Sequence, residues 1–234
     1  MNSNKKTARI VGVLFIIGTV AGVSTLKAGS ILNDPNYLTE IALNENQILT
    51  GSILILVMGF ALSMMSVILY PVLRKFNQTL ALGSVVFRGV LEAVMYIAIS
   101  MNWLLQITIS REYTKAETLN ASYYQVIGNF LRDVNYWSDH MLAIVFTLGA
   151  LMIYYVFYKS KLVPRWLSGW GFIGAILYLS AALLNIFDQR HLLLTLEEGN
   201  GVLMWPLAIQ EMVFALWLIV KGFNSSAIVS QPKK

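Results

Sequence analysis

Residues 48–72 read ILTGSILILVMGFALSMMSVILYPV and contain no charged side chain. The hydrocarbon core of a bilayer is about 30 Å thick, and an α-helix needs about 20 apolar residues to cross it. A helix in lipid satisfies nearly all of its backbone hydrogen-bonding groups within its own segment. This stretch therefore predicts a transmembrane helix.

Further apolar stretches of the same kind lie on both sides of it. Only 12% of the chain is charged, whereas about a quarter of an average soluble protein is. The connecting segments are too short for a separate soluble domain. We therefore predict an all-α fold, a polytopic six-helix transmembrane bundle that forms a single integral membrane domain over residues 1–234. The predicted spans are residues 8–31, 48–72, 80–109, 137–157, 167–187 and 202–220.

Charged residues are segregated between the two sets of connecting segments. When sides are alternated from the N-terminus, every charged residue on one side is basic, and the other side carries ten acidic residues against five Lys or Arg. Basic loops stay in the cytoplasm during insertion, so we expect both termini in the cytoplasm and the protein in a bacterial inner membrane. The basic side holds Lys5, Lys6, Arg9, Arg74, Lys75, Lys159, Lys161, Arg165, Lys221, Lys233 and Lys234. The acidic side holds Asp34, Glu40, Glu45, Glu112, Glu117, Asp133, Asp139, Asp188, Glu197 and Glu198.

The composition also argues against several classes of function. The net charge of +5 is explained by cations that face anionic lipid at the span ends, so we expect membrane lipids as partners and no nucleic acid. With no cysteine and two histidines, the chain lacks thiolate metal sites and the common zinc signatures. It also lacks a Gly-x-Ser-x-Gly nucleophile elbow. We expect no enzyme activity, no metal and no cofactor.

The connecting segments differ on the two sides. Short basic turns predict that spans two and three pack together, as do spans four and five. On the acidic side, residues 33–47 read as a loop. In residues 110–136, apolar side chains recur at helical spacing, which predicts an amphipathic outer helix between spans three and four. This helix is either a lid over a cavity or a passive connector. Because the prolines lie near span ends, we expect the spans to be unbroken.

Three charged residues lie at mid-membrane depth, where each costs about 2.5–3.5 kcal/mol to insert. Arg88 and Glu92 are one turn apart in span three, and Glu211 lies in span six. We call Arg88, Glu92 and Glu211 the polar trio and predict that they form a binding site. Either Arg88 bridges both carboxylates, or it pairs with Glu92 while Glu211 stays protonated, because low dielectric disfavours the charged form.

A second polar set is expected toward the outer half of the bundle, where it could line a vestibule. His140 and Asp139 are sequence neighbours and therefore point in different directions on a helix, which is unsuitable for a catalytic pair. The candidate vestibule residues are Asn102, Gln106, Asp139, His140, Asn185 and Gln210, with Asp188 close by in sequence.

Three motifs carry a resemblance to a known family: Arg88-x-x-x-Glu92, residues 162–171 (LVPRWLSGWG), and Gln210-Glu211 followed by residues 215–223 (ALWLIVKGF). In these motifs the chain resembles the bacterial six-span membrane proteins grouped as domain of unknown function 4386, from the first helix to Phe223. The resemblance implies a six-helix membrane protein with recurring Arg and Glu positions at the polar trio. It implies no activity, substrate or cofactor.

Two functions are consistent with these features. The chain is either a small-molecule or lipid-like solute binder or transporter that uses the mid-membrane polar site, or a non-transporting accessory or sensory membrane protein whose buried charges are structural. The sequence leaves the solute, the direction of transport and the oligomeric state open.

Overall fold

The computed structural model describes residues 3–187, 203–224 and 226–227, and every regular element among them is helical. The helices are α1 (Ser3–Leu32), α2 (Tyr37–Leu43), α3 (Glu45–Leu73), α4 (Gln78–Ser84), a π-helical segment (Val85–Leu91), α5 (Glu92–Lys115), α6 (Thr118–Ser160), α7 (Arg165–Phe187) and α8 (Trp205–Val220). The predicted start of span six and the outer connection at 188–201, which includes Asp188, lie outside the described residues.

Among the described residues, five helical stretches are long and apolar enough to cross a membrane: Asn4–Leu32, Glu45–Leu73, Gln78–Lys115, Asn120–Ser160 and Arg165–Phe187. Many large apolar side chains on these helices are exposed; Val23, Ile53 and Ile173 are each at least 60% exposed. Water would disfavour so much apolar surface, whereas lipid is its natural surrounding. The fold is a bundle of membrane helices, as the composition predicted.

Two sequence predictions about the connections need correction. Residues 33–47 are not only a loop, because they contain α2 and the start of α3. Residues 110–136 are largely helical, as predicted, but they do not form a separate helix. The helix of span three continues to Lys115, and α6 runs unbroken from Thr118 into span four. No proline interrupts residues 118–160, so nothing in the backbone forces a helix end there.

The third predicted span is irregular. Between α4 and α5 the backbone widens into the π-helical segment Val85–Leu91, and the N–H of Glu92 donates to the carbonyl of Phe87, five residues earlier. The span is nevertheless unbroken, as predicted, because a π-helical turn changes the spacing of the backbone hydrogen bonds without ending the helix. Such turns occur often at functional sites, and Arg88 lies at the centre of this one.

The described residues pack as two compact units, and each draws on several helices. The first unit contains the described parts of 1–17, 60–93 and 143–234. Its core is aromatic: the Phe214 ring lies 5.6 Å from Phe15, 5.9 Å from Tyr154 and 5.3 Å from Phe157, measured between ring centres. In the same unit, α7 packs closely on α8.

The second unit contains residues 18–59 and 94–142, and it holds α2 by polar contacts. The Tyr37 hydroxyl donates to Asn129 Oδ1 at 2.9 Å, and the Arg132 guanidinium lies 4.7 Å above the Tyr37 ring. Burial raises the pKa of the Tyr37 hydroxyl, an effect that Arg132 partly offsets. The hydroxyl therefore remains protonated as a donor. At the end of α5, the Arg111 Nε donates to Glu45 Oε2 at 2.8 Å.

In the first unit, α6 approaches the π-helical segment closely because residue 149 is a glycine. A Cβ built on Gly149 would lie 2.7 Å from the Arg88 Cβ and 2.9 Å from the Arg88 backbone nitrogen. Backbone cannot yield as easily as the end of a flexible side chain. This contact therefore sets how near α6 lies to the segment that carries Arg88.

We predict that Gly149→Ala lowers the apparent melting temperature in detergent, because overpacking typically costs about 1–3 kcal/mol. Gly29→Ala is the matched control, since a Cβ there meets nothing within 4 Å and alanine favours a helix by up to about 1 kcal/mol. Equal melting temperatures for the two variants, measured by thermal size-exclusion chromatography, would contradict the close approach at Gly149.

Candidate functional site

Arg88 is the centre of the candidate site. It projects from the π-helical segment and is only 1% exposed, while Glu92 at the start of α5 is fully buried. A charged side chain this deeply buried must be paired, because an uncompensated ion in low dielectric costs several kcal/mol.

The close partner of Arg88 is Glu211 on α8. Arg88 Nη2 donates to Glu211 Oε1 at 2.8 Å, whereas Arg88 Nε lies 4.0 Å from Glu92 Oε2. The structure thus brings all three members of the polar trio together. Of the two predicted arrangements, it has the one in which Arg88 faces both carboxylates, with a short contact to Glu211 and a long one to Glu92.

Aromatic rings enclose the guanidinium group of Arg88. Its Cζ lies 4.2 Å from the centre of the Phe146 ring and 5.4 Å from that of Phe15. Such cation–π contacts are worth about 2 kcal/mol or more when they are desolvated. The rings also exclude water, which strengthens the attraction between Arg88 and Glu211.

Gln210 and Tyr154 extend the polar surroundings of the trio. Gln210 is buried, and its Nε2 donates to the carbonyl of Leu167 at 3.0 Å, which ties α8 to α7. Tyr154 is also buried, and its ring packs on that of Phe214 in α8. The absence of a side chain at Gly171 leaves room for both Tyr154 and Gln210.

The chemistry available at this site is ionic binding. A guanidinium group offers five donors in a fixed plane and suits carboxylate or phosphate oxygens. Among the residues that the structure describes, no group of three or more His, Cys, Asp or Glu side chains is placed to hold a metal ion. The side chains of Glu211 and Arg88 are 13% and 1% exposed, so Glu211 is the less enclosed partner of the pair.

The predicted vestibule residues of α5 take part in helix packing in the second unit. Asn102 Nδ2 donates to the carbonyl of Leu131 in α6 at 2.9 Å, and Gln106 Nε2 donates to Asn102 Oδ1 at 3.2 Å. Both side chains are at least 97% buried. They join α5 to α6 through hydrogen bonds.

The other vestibule residues are divided between the units. In the second unit, His140 is buried with its Nδ1 2.8 Å from the carbonyl of Tyr136, and exposed Asp139 accepts a hydrogen bond from Asn135. Asn185 is buried in α7 of the first unit, which also contains Gln210. The vestibule as a shared cavity stays a prediction.

Sequence reasoning missed the residues that enclose the trio. Phe15, Phe146 and Tyr154 look like any other apolar or aromatic residue of a span, and only contacts between helices reveal their role. Gly149 offered a weak signal, because small residues in membrane helices often mark a close approach of two backbones.

We predict that Arg88→Ala destabilises the protein most, Glu211→Gln less and Glu92→Gln least. Removal of Arg88 leaves two buried carboxylates without their cation, and breaking a buried pair from one side costs about 3–5 kcal/mol. Glu211→Gln removes the short contact to Arg88, and Glu92→Gln removes the long contact to Arg88. The readout is the folded fraction after heating in detergent, with Glu112→Gln on the surface as the control. A larger loss for Glu92→Gln than for Glu211→Gln would contradict the pairing.

Comparisons with known proteins identify a family and assign no activity. A family model described as a domain of unknown function, DUF4386, matches residues 10–222. Neither the curated proteins nor the solved structures include a match to the chain. The matched region includes all three members of the polar trio and spans most of the chain. This membrane-embedded helical protein therefore belongs to the family of domain of unknown function 4386.

Proposed function

We propose that the chain is a six-span protein of a bacterial inner membrane with both termini in the cytoplasm. Five long apolar helices support a protein with several spans, and the shorter apolar helix α8 would supply the sixth. The segregation of basic and acidic residues between alternate connections supports the orientation. Arg74, Lys159 and Lys161 then face the cytoplasm, and Glu45 and Glu117 face outward.

Within the membrane, we propose that the protein binds, and as a transporter moves, a small anionic or lipid-like solute at Arg88. The observation that carries this proposal is the arrangement of one buried arginine beside two carboxylates, at 2.8 Å and 4.0 Å. Arg88 can be held by Glu211, by Glu92 or by both. A solute carboxylate or phosphate can take the place of Glu211 without leaving Arg88 unpaired.

Two further features support exchange of partners at Arg88. The π-helical segment gives the backbone around Arg88 a conformation that can return to a regular helix, and such segments accompany functional sites. Glu211 is the most exposed member of the trio, so an incoming anion meets this carboxylate first. Displacement of Glu211 would loosen the link between α8 and the π-helical segment, and this is the step that would couple binding to a helix movement.

A second candidate is a non-transporting accessory or sensory membrane protein in which the trio is a structural clamp. The burial of Arg88 against Phe146 and Phe15 favours it, because a closed ion pair between rings resists exchange. In both cases we propose membrane lipids as partners, no nucleic acid and no enzymatic reaction.

The topology is testable with single cysteines, since the natural chain has none. Cysteines at positions 74, 159 and 161 should resist a membrane-impermeant thiol reagent on intact cells and react after the cells are broken. Those at positions 45 and 117 should react in intact cells. Labelling of position 159 or 161 in unbroken cells would overturn the orientation and the even number of spans.

Solute binding is testable by thermal stabilisation of the purified protein with a library of small carboxylates and phosphates. We expect some of these anions to stabilise the wild type and none to stabilise the triple variant Arg88→Met, Glu92→Leu, Glu211→Leu. The triple variant should still fold, because buried ion networks are often replaceable by apolar residues. The matched control replaces one arginine and two glutamates in the second unit: Arg111→Met, Glu45→Leu and Glu112→Leu. It should keep the hits.

Glu211→Gln separates the two candidate functions. If Glu211 competes with the solute for Arg88, this variant should bind the same anions more tightly than the wild type. If the trio is a clamp, the wild type gives no hits, Glu211→Gln only lowers stability, and the triple variant remains folded. That set of results would end the solute proposal.

A further inference from the structure

We infer that the protein has a second binding site, a basic pocket that holds the phosphate headgroup of an anionic phospholipid. This pocket belongs to the first unit and has a volume of about 530 Å³. It is separate in sequence and composition from the polar trio, and no member of the trio lines it. The lining residues are Lys161, Leu162, Val163, Pro164, Arg165, Trp217, Lys221, Gly222, Phe223 and Asn224.

Two helix ends and the segment after α8 build the pocket. The chain leaves α6 at Lys161, which has φ of 56°, and leaves α8 at Gly222, which has φ of 76°. These left-handed residues turn the backbone sharply after each helix. The Asn224 N–H donates to the carbonyl of Leu162 at 2.8 Å, and its side-chain amide donates to the carbonyl of Lys161 at 3.4 Å. These two hydrogen bonds join the segment after α8 to the segment after α6, and the pocket lies between them.

The charge of the pocket has one sign. Lys161, Arg165 and Lys221 line it, and no acidic residue does. The guanidinium of Arg165 lies 5.4 Å from the centre of the Tyr158 ring, which restricts where that cation can point. Three cations around one concave space repel each other, so an anion between them relieves the repulsion. Basic pockets between membrane helices bind lipid headgroups in this way.

The apolar part of the lining argues for a lipid over a free phosphate ion. Trp217, Val163 and Phe223 form a wall beside the cations. Trp217 also meets Trp166 edge to face, with ring centres 6.5 Å apart. Indole rings are typical of the membrane–water interface. A ligand with a phosphate and the beginning of an acyl chain would satisfy the cations and the apolar wall together.

This site does not depend on the proposed solute binding. Its basis is a cavity, three cations and an aromatic wall at the ends of α6 and α8. Failure of the solute proposal would leave the lipid test unaffected, because the two tests use different ligands and different variants.

The test is native mass spectrometry of the full-length protein in detergent with added short-chain phosphatidylglycerol, with phosphatidylcholine and inorganic phosphate as separate arms. We expect phosphatidylglycerol to bind, phosphatidylcholine to bind at least about tenfold more weakly, and inorganic phosphate not to displace the lipid. Each cation near an anionic lipid contributes about fivefold in affinity. The variant Lys161→Gln, Arg165→Gln, Lys221→Gln should therefore lose at least about tenfold.

The matched control removes three cations that do not line the pocket: Arg74→Gln, Lys75→Gln and Lys159→Gln. It has the same net charge as the pocket variant and should bind phosphatidylglycerol like the wild type.

An equal loss in both variants would show a general charge effect and overturn the site. Displacement of the lipid by millimolar phosphate would overturn the lipid assignment, and absence of phosphatidylglycerol binding would overturn the proposal altogether. If the triple change prevents folding, Lys221→Gln alone should give a loss of about fivefold, and an unchanged affinity would contradict the pocket.

Discussion

The buried charge of Arg88 is the constraint around which the first unit is arranged. A guanidinium group that is 1% exposed must be neutralised by a nearby carboxylate, and α8 provides it through Glu211 at 2.8 Å. The requirement fixes the rotation of α8, because only one face of that helix carries a carboxylate. It also determines what lies beside Glu211: buried Gln210 points toward α7, and buried Phe214 occupies the centre of the aromatic core.

The backbone around Arg88 serves the same pairing. Gly149 allows α6 to approach the π-helical segment to within a distance that any Cβ would prevent. The approach brings the Phe146 ring over the guanidinium from α6, while Phe15 approaches from α1. Charge pairing, cation–π contacts and a close backbone approach thus meet at one buried cation. Such an arrangement suits either a site that exchanges partners or a rigid clamp, and the two differ in whether Glu211 can be displaced.

The polar trio and the basic pocket, both in the first unit, differ in the burial and in the sign of their charges. At the polar trio, one buried cation lies beside two carboxylates, which makes the region costly to disturb. At the basic pocket, charges are exposed, of one sign and placed beside Trp217. In our proposals, the first arrangement binds a small group that competes with a carboxylate, and the second binds an anionic lipid headgroup.

Much of the architecture was predictable because a helix that crosses lipid needs a long, mostly apolar stretch of sequence. Apolar stretches of the required length marked the membrane helices, and mid-membrane charges marked Arg88, Glu92 and Glu211 as residues that must face the protein interior. The helix at 37–43, the continuity of α6 and the π-helical segment were not predictable. These features depend on hydrogen bonds and packing that leave no periodic trace in an apolar run. Only the tertiary structure decided that Arg88 makes its short contact with Glu211 and its long contact with Glu92. Glu211 is 123 positions away along the chain. The partner of a buried charge depends on which helix lies beside it, and the sequence does not state that.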